Sequence, residues 1–236
     1  MSEPNSSPDS LFSTSTGSSS PLRLETAQRT CPPIPGLYVF PGLLPSDAAG
    51  RALKDIGDAD VFSGGTRDQA MLFEPPFSKH AIPSLPPYIM ALLSSIEKAI
   101  QERVPNQVYN LVFRQHLARQ VILNLYAAGQ GITSHVDLPN RYADGILGCS
   151  LIGGCTMRFE KEPAGNEARQ VYQVYLEPRT VYILSGEARW AWKHEIEARL
   201  EDRVDGEDGL GHERILRDLR LSVTFRWMKR GADVLS

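Results

Sequence analysis

Asn124-Leu-Tyr-Ala-Ala-Gly-Gln-Gly-Ile-Thr-Ser-His135-Val-Asp137 lies where the hydrophobic pattern of this chain changes period. Upstream, apolar residues recur at helical spacing. Ala49, Ala52, Leu53 and Ile56 share one face behind Ser46, a capping residue type, and Ile89, Leu92, Leu93, Ile96 and Ile100 share another behind Pro86-Pro87. A short apolar strand is expected at Leu37, Val39 and Phe40, ended by Pro41-Gly42. Residues 58–80 carry Gly64-Gly65 and Pro75-Pro76 with little periodicity, which predicts a loop. From Val121 onward the runs are short and strand-like: 121–125, 146–152, 156–159, 171–176, 181–184 and 219–227, parted by Gly and Pro turns. Helices first and many strands afterwards predict an α+β fold, with the strands in two packed sheets or a barrel. A jelly-roll is one such solution, and its open end suits a buried metal.

The bulk properties narrow the function classes. A chain of 236 residues supports one sizeable domain, and 42% hydrophobic with 22% charged residues is ordinary for a globular protein. A net charge of −3 gives no global attraction to polyanions, so nucleic-acid binding would have to rest on a local basic surface. Cys31, Cys149 and Cys155 form neither a disulfide framework nor a CxxC zinc site, which points to a reducing compartment, cytosol or nucleus. No run approaches the ~20 apolar residues needed to cross a bilayer. The opening residues also lack a secretory signal. A soluble, intracellular monomer without membrane contact is expected. Residues 1–32, rich in Ser and Pro, are expected to be a disordered tail, and residues 33–236 the folded domain.

His135 and Asp137 stand two apart, so an extended backbone would point both to one face, where they could meet one ion. Imidazole with carboxylate suits Fe(II), Mn(II) or Zn(II). Taken alone, the pair reads first as a surface feature. A third ligand must come from elsewhere. His212 sits in a charged, Gly-containing stretch that reads as a solvated loop, and His80 and His116 precede the motif. His194 lies in Trp190-Ala-Trp-Lys-His194-Glu-Ile196, an aromatic and apolar setting that would shield a ligand from water.

Arg220-Leu-Ser-Val-Thr-Phe-Arg226 alternates as a strand does, with Arg220, Ser222, Thr224 and Arg226 on one face and Leu221, Val223 and Phe225 on the other. Two inward arginines are costly unless each meets an anion, and a dicarboxylate would offer one carboxylate to each. The other reading of the same alternation is an outward, solvated face.

Together, Asn124-x-Tyr126, His135-x-Asp137, Gly186-Glu-Ala-Arg189-Trp-Ala-Trp192-x-His194-x-Ile196 and Arg220-x-Ser222-x-Thr224-Phe-Arg226 resemble the AlkB-like Fe(II)/2-oxoglutarate-dependent dioxygenases over residues 35 to 230. The resemblance implies a double-stranded β-helix (jelly-roll) core with N-terminal helices packed on one sheet. It also implies the cofactor Fe(II) with the cosubstrates 2-oxoglutarate and O2, and hydroxylation of a substrate C–H bond. By motif, His135, Asp137 and His194 would bind iron, and Arg220 with Tyr126 would hold the distal carboxylate of 2-oxoglutarate. Arg226 and Asn124 would lie near its keto-acid end, with Ser222 in support. The expected substrate is a modified DNA or RNA undergoing oxidative demethylation. A protein side chain, or a non-catalytic β-barrel binding module, is the alternative. A covering loop at residues 62–80 falls where family members place a substrate lid. Arg67, Gln69 and Phe73 are its candidate contacts, with Lys79 and Phe77 beside them, while loop-and-helix packing is the plainer reading. Arg114 to Arg119 forms the other small basic cluster.

Overall fold

The computed structural model describes residues 12–13, 25–76, 85–163, 165 and 168–232. In chain order these form β1 (Phe12–Ser13), β2 (Leu37–Phe40), α1 (Ser46–Asp58), a 3-10 turn at Ser63–Gly65, β3 (Gln69–Glu74), α2 (Pro87–Ile100) and α3 (Asn106–Phe113). The strand-rich half follows: β4 (Ala118–Tyr126), β5 (Gly131–His135), β6 (Ile146–Ile152), β7 (Cys155–Lys161), β8 (Gln170–Leu176), β9 (Val181–Leu184), α4 (Gly186–Trp190), β10 (Lys193–Ile196), β11 (Glu201–Asp205), β12 (His212–Leu216) and β13 (Arg220–Met228).

Two sheets face each other. One has the order β1-β5-β10-β7-β8 and the other β2-β9-β6-β13-β4-β3, with a separate β11–β12 hairpin. Every paired neighbour is antiparallel. The alternation of β13 decides how the layers stack. Leu221, Val223 and Phe225 turn outward into a core shared with the apolar faces of α1, α2 and α3. Ile146, Met157, Phe159, Tyr182, Leu184 and Trp192 fill a second core between the sheets. The result is the expected α+β jelly-roll with its N-terminal helices on one sheet. Each Leu or Ile buried in these cores contributes roughly 1.5–3 kcal/mol.

Four local expectations are corrected. Residues 58–80 are not wholly loop, because Gln69–Glu74 forms β3, paired along its length with β4. Its six residues are all half-buried, so no alternation marks it in the sequence. Ser46 does not cap α1; it is the first helical residue, Pro45 precedes it, and no side chain caps the end. His212 opens β12 instead of lying in a loop, although it is exposed as expected. Ordered chain begins before Pro33: Ala27 is fully buried, and its N–H donates to the Arg203 carbonyl. Residues 1–11 and 14–24 of the expected tail lie outside the described residues, as do Phe77, Lys79 and His80. No described helix is long and apolar enough to cross a membrane.

Candidate active site

A cavity of about 170 Å³ opens between the two sheets. His135, at the end of β5, and His194, on β10, are direct cross-strand partners, with ring centroids 4.4 Å apart. Asp137 lies just past β5, so the loop, not the strand pleat, brings it round to the histidines. Ligand atoms of the three residues fall within 4.8 Å of one another, the one such grouping among the described residues. The His135 Nδ1 lies 2.7 Å from the Thr133 carbonyl, which can only accept. The proton therefore sits on Nδ1 and the Nε2 lone pair is left for a metal. Burial first, and then the neighbouring His135, push the His194 imidazole down to about 3, so it is neutral at physiological pH, as a ligand must be. Burial acts to raise the Asp137 carboxyl, but its charged neighbours, Arg226 above all and then Arg189, outweigh it and hold it at about 2. Two imidazoles and a carboxylate form the donor set that suits a non-haem Fe(II) with open positions for cosubstrates.

The opposite wall is β13. Arg220 is 3% exposed, and its Nε donates to Ser150 Oγ at 3.2 Å. Its guanidinium lies 5.2 Å from the Tyr126 ring and is hydrogen-bonded to that residue. Its Nη1 is buried without a partner. A buried orphan donor on an obligate cation is costly, and a carboxylate would satisfy it. That atom is the test of fit for 2-oxoglutarate, and it is met. At the other end Arg226 is hydrogen-bonded to Asp137, donates to Gln120 Oε1 at 3.0 Å and stacks 4.1 Å from the Tyr142 ring. Between the arginines runs a polar row set by strand register: Gln69, Asn124, Ser222 and Ser150 follow one another across β3, β4, β13 and β6. Gln69 Nε2 donates to Asn124 Oδ1 at 2.9 Å.

The structure therefore brings His135, Asp137, His194, Asn124, Tyr126, Arg220, Ser222 and Arg226 to one cavity, which Gln69 also lines. Arg67 and Phe73 do not line it; Phe73 packs against Ala118, Tyr142 and Met228. Several lining or supporting residues have no role in the sequence reading. Tyr182 reaches in from β9, and the inward alternation of Val181–Leu184 could have found it. Tyr142 follows no period. Arg189, 2% exposed, spends its donors on three carbonyls, those of Asp137 (2.9 Å), Tyr142 (3.2 Å) and Ala143 (3.3 Å). Arg158 braces β7 to β10 beside His194 through Glu160 and Glu195, at 2.7 and 2.6 Å.

Comparison with known proteins bears on this arrangement. The sequence profile of the 2OG-Fe(II) oxygenase superfamily matches residues 65–226, the span from just before β3 to Arg226. The chain is 31% identical over 141 residues to Uncharacterized protein L905 of Acanthamoeba polyphaga mimivirus, covering 59% of this chain and 62% of that protein. It is 34% identical over 98 residues to the Alkylated DNA repair protein ALKBH8 homolog of Arabidopsis thaliana, covering 36% and 28%. It is 38% identical over 95 residues to the tRNA (carboxymethyluridine(34)-5-O)-methyltransferase alkbh8 of Xenopus tropicalis, covering 40% and 14%. The chain spans less than two thirds of the length of each of these relatives. With the profile matched over most of its length, this AlkB-like chain belongs to the 2OG-Fe(II) oxygenase superfamily and is a dioxygenase that uses Fe(II), 2-oxoglutarate and O2.

Proposed function

We propose that this dioxygenase oxidises a modified base in nucleic acid, removing an N-alkyl group or hydroxylating a C–H bond. The observation that carries the reading is the Gln69–Asn124 amide pair, which lines the same cavity as the two histidines and Asp137. Planar amides offer a donor and an acceptor side by side, the pattern that the edge of a base presents in return. The names of the Arabidopsis and Xenopus relatives, which concern alkylated DNA and a tRNA uridine, support the same direction.

Each part of the chain has a task in that reaction. Arg220, with Tyr126 and Ser150, would anchor one carboxylate of 2-oxoglutarate at the inner end. The apolar walls from Ile122, Ile146, Met157 and Leu184 exclude water from the reacting centre. Asp137, His135 and His194 would hold the iron, which, with 2-oxoglutarate and O2, supplies the oxidising power for C–H hydroxylation. The balance is one 2-oxoglutarate and one O2 to succinate and CO2, with the second oxygen atom entering the substrate. An N-hydroxymethyl product then releases formaldehyde and restores the amine.

The test is to incubate the protein with Fe(II), ascorbate and 2-oxoglutarate in air. Total tRNA, N-methylated single-stranded oligonucleotides or a peptide pool is then added. Succinate formation stimulated by nucleic acid, with loss of one modified nucleoside by mass spectrometry and no effect in His135→Ala, is the expected result. Stimulation by peptides alone would overturn the assignment while leaving the oxygenase intact.

A further inference from the structure

We infer that an exposed ledge made by Trp190 and Lys229, with Arg230 next in the chain and Leu138 lining the cavity, holds the nucleic-acid strand on either side of the reacting nucleotide. This rests on the nucleic-acid reading above and adds to it where the strand lies.

Trp190 and Leu138 are large apolar side chains left in water, at 39% and 47% exposure. Both belong to segments that carry the site. Leu138 follows Asp137 directly and lines the cavity. Trp190 ends α4, four residues before His194, and its ring lies 4.2 Å from the guanidinium of Arg189, which is itself tied to the Asp137 carbonyl. The indole is thus held in place by a buried cation, so little rotamer freedom remains to be lost when a ligand stacks on it.

The charge beside it is positive and uncommitted. Lys229 reaches to 5.2 Å from the Trp190 ring, and its N–H donates to the Arg141 carbonyl, which stitches the end of β13 to the loop after Asp137. Neither Lys229 nor Arg230 forms an ion pair with a described residue, and both are exposed. The basic cluster singled out in the sequence is different: Arg114 pairs with Glu97 and Arg119 with Glu74, so their charge is already met. Lys229 follows directly on the end of β13, three residues after Arg226 in the chain. The nearby Asp144 carboxylate already accepts from the Gly145 and Gly186 N–H groups. An aromatic platform with free cations next to it suits a single strand: phosphates meet Lys229 and Arg230, and a flanking base or sugar lies on Trp190. In a chain of net charge −3, such a local patch is what an attraction to polyanions requires.

The test uses fluorescence anisotropy with the full chain and unmodified single-stranded RNA and DNA 12-mers, titrated at several salt concentrations. Trp190→Ala should weaken binding by about tenfold. The double variant Lys229→Ala/Arg230→Ala, at exposed positions where folding is not at stake, should flatten the salt dependence by about two phosphate contacts. Arg51→Ala/Lys54→Ala removes the same charge from α1 and should change neither. If the wild type binds but the ledge variants bind as well as it does, or the α1 control loses as much, the ledge is overturned and the nucleic-acid reading stands. If the wild type binds neither oligonucleotide, both fall.

Discussion

The Arg189 guanidinium donates from Nη1 to the main-chain carbonyl of Asp137 over 2.9 Å, so a residue on α4 fixes the segment that carries the carboxylate of the metal triad. His194 lies five residues further along the same chain. Arg189 thus ties the second ligand to the segment of the third, and it does so with three carbonyls that no shorter or non-planar cation could satisfy together.

Replacing it should therefore loosen the centre without touching it. Arg189→Met and Arg189→Lys are expected to lower Fe(II) affinity by about ten- to a hundredfold, in line with other residues that orient metal ligands. Anaerobic Fe(II) titration reads this directly. Unchanged affinity in both variants would show that the loop holds its shape without the guanidinium.

Arg220 makes a different prediction because its deficit is a single unpaired donor. Arg220→Met should raise the KM for 2-oxoglutarate at least about a hundredfold, since it leaves a buried carboxylate without its cation. Fe(II) binding should be spared, because Arg220 touches none of the three ligands. Loss of metal binding in this variant would contradict that separation.

Two glycine substitutions should move stability in opposite directions. A Cβ on Gly148 would lie 2.0 Å from the Tyr182 ring, inside the second core. Gly148→Ala should cost about 1–3 kcal/mol and displace Tyr182 from the cavity wall, raising the KM for 2-oxoglutarate as well. Gly50 sits inside α1 with nothing within 4 Å of its added Cβ, so Gly50→Ala should stabilise by about 0.5–1 kcal/mol. Thermal melts of both proteins decide the pair.

Acid stability should depend on Asp202. Fully buried, it accepts from Arg217 Nε and Nη2 at 2.7 and 2.9 Å and from Arg199 Nη2 at 2.7 Å. Burial acts to raise its carboxyl, but Arg217 and then Arg199 prevail and hold it below its usual value of 3.8. A carboxyl depressed in the folded state contributes stability that is fully present above the unfolded value and is lost as pH falls through the folded one. Asp202→Asn should cost about 3–5 kcal/mol at pH 7, with the gap to wild type closing below about pH 4. A gap that stays constant from pH 7 to pH 3 would show that the charge is not what matters.

How much of this was legible in the sequence depends on how each residue is positioned. The β13 face was readable because strand alternation is local: Arg220, Ser222, Thr224 and Arg226 had to share a side. The helices at Ser46–Asp58 and Pro87–Ile100 were readable for the same reason at a different period. β3 was not, because an edge strand half-buried at every position carries no alternation. α3 was not, because eight residues hold barely two turns of pattern. His135 and Asp137 were found, but for a partly wrong reason, since the strand ends at His135 and a loop carries Asp137. Arg189 stood inside a quoted motif without a role: its partners are main-chain carbonyls at positions 137, 142 and 143, and nothing in a side-chain pattern points to them.

The direct pairing of His135 with His194 also constrains how the protein is made. The two positions are 59 residues apart in the chain, yet they face each other across adjacent strands. A pairing of that span costs loop-closure entropy before it returns any contact, so it forms late and slowly. A nascent chain that stops short of Lys193 carries His135 and Asp137 without β10, the strand that brings His194 to them. The triad is therefore complete only in chains that extend through β10.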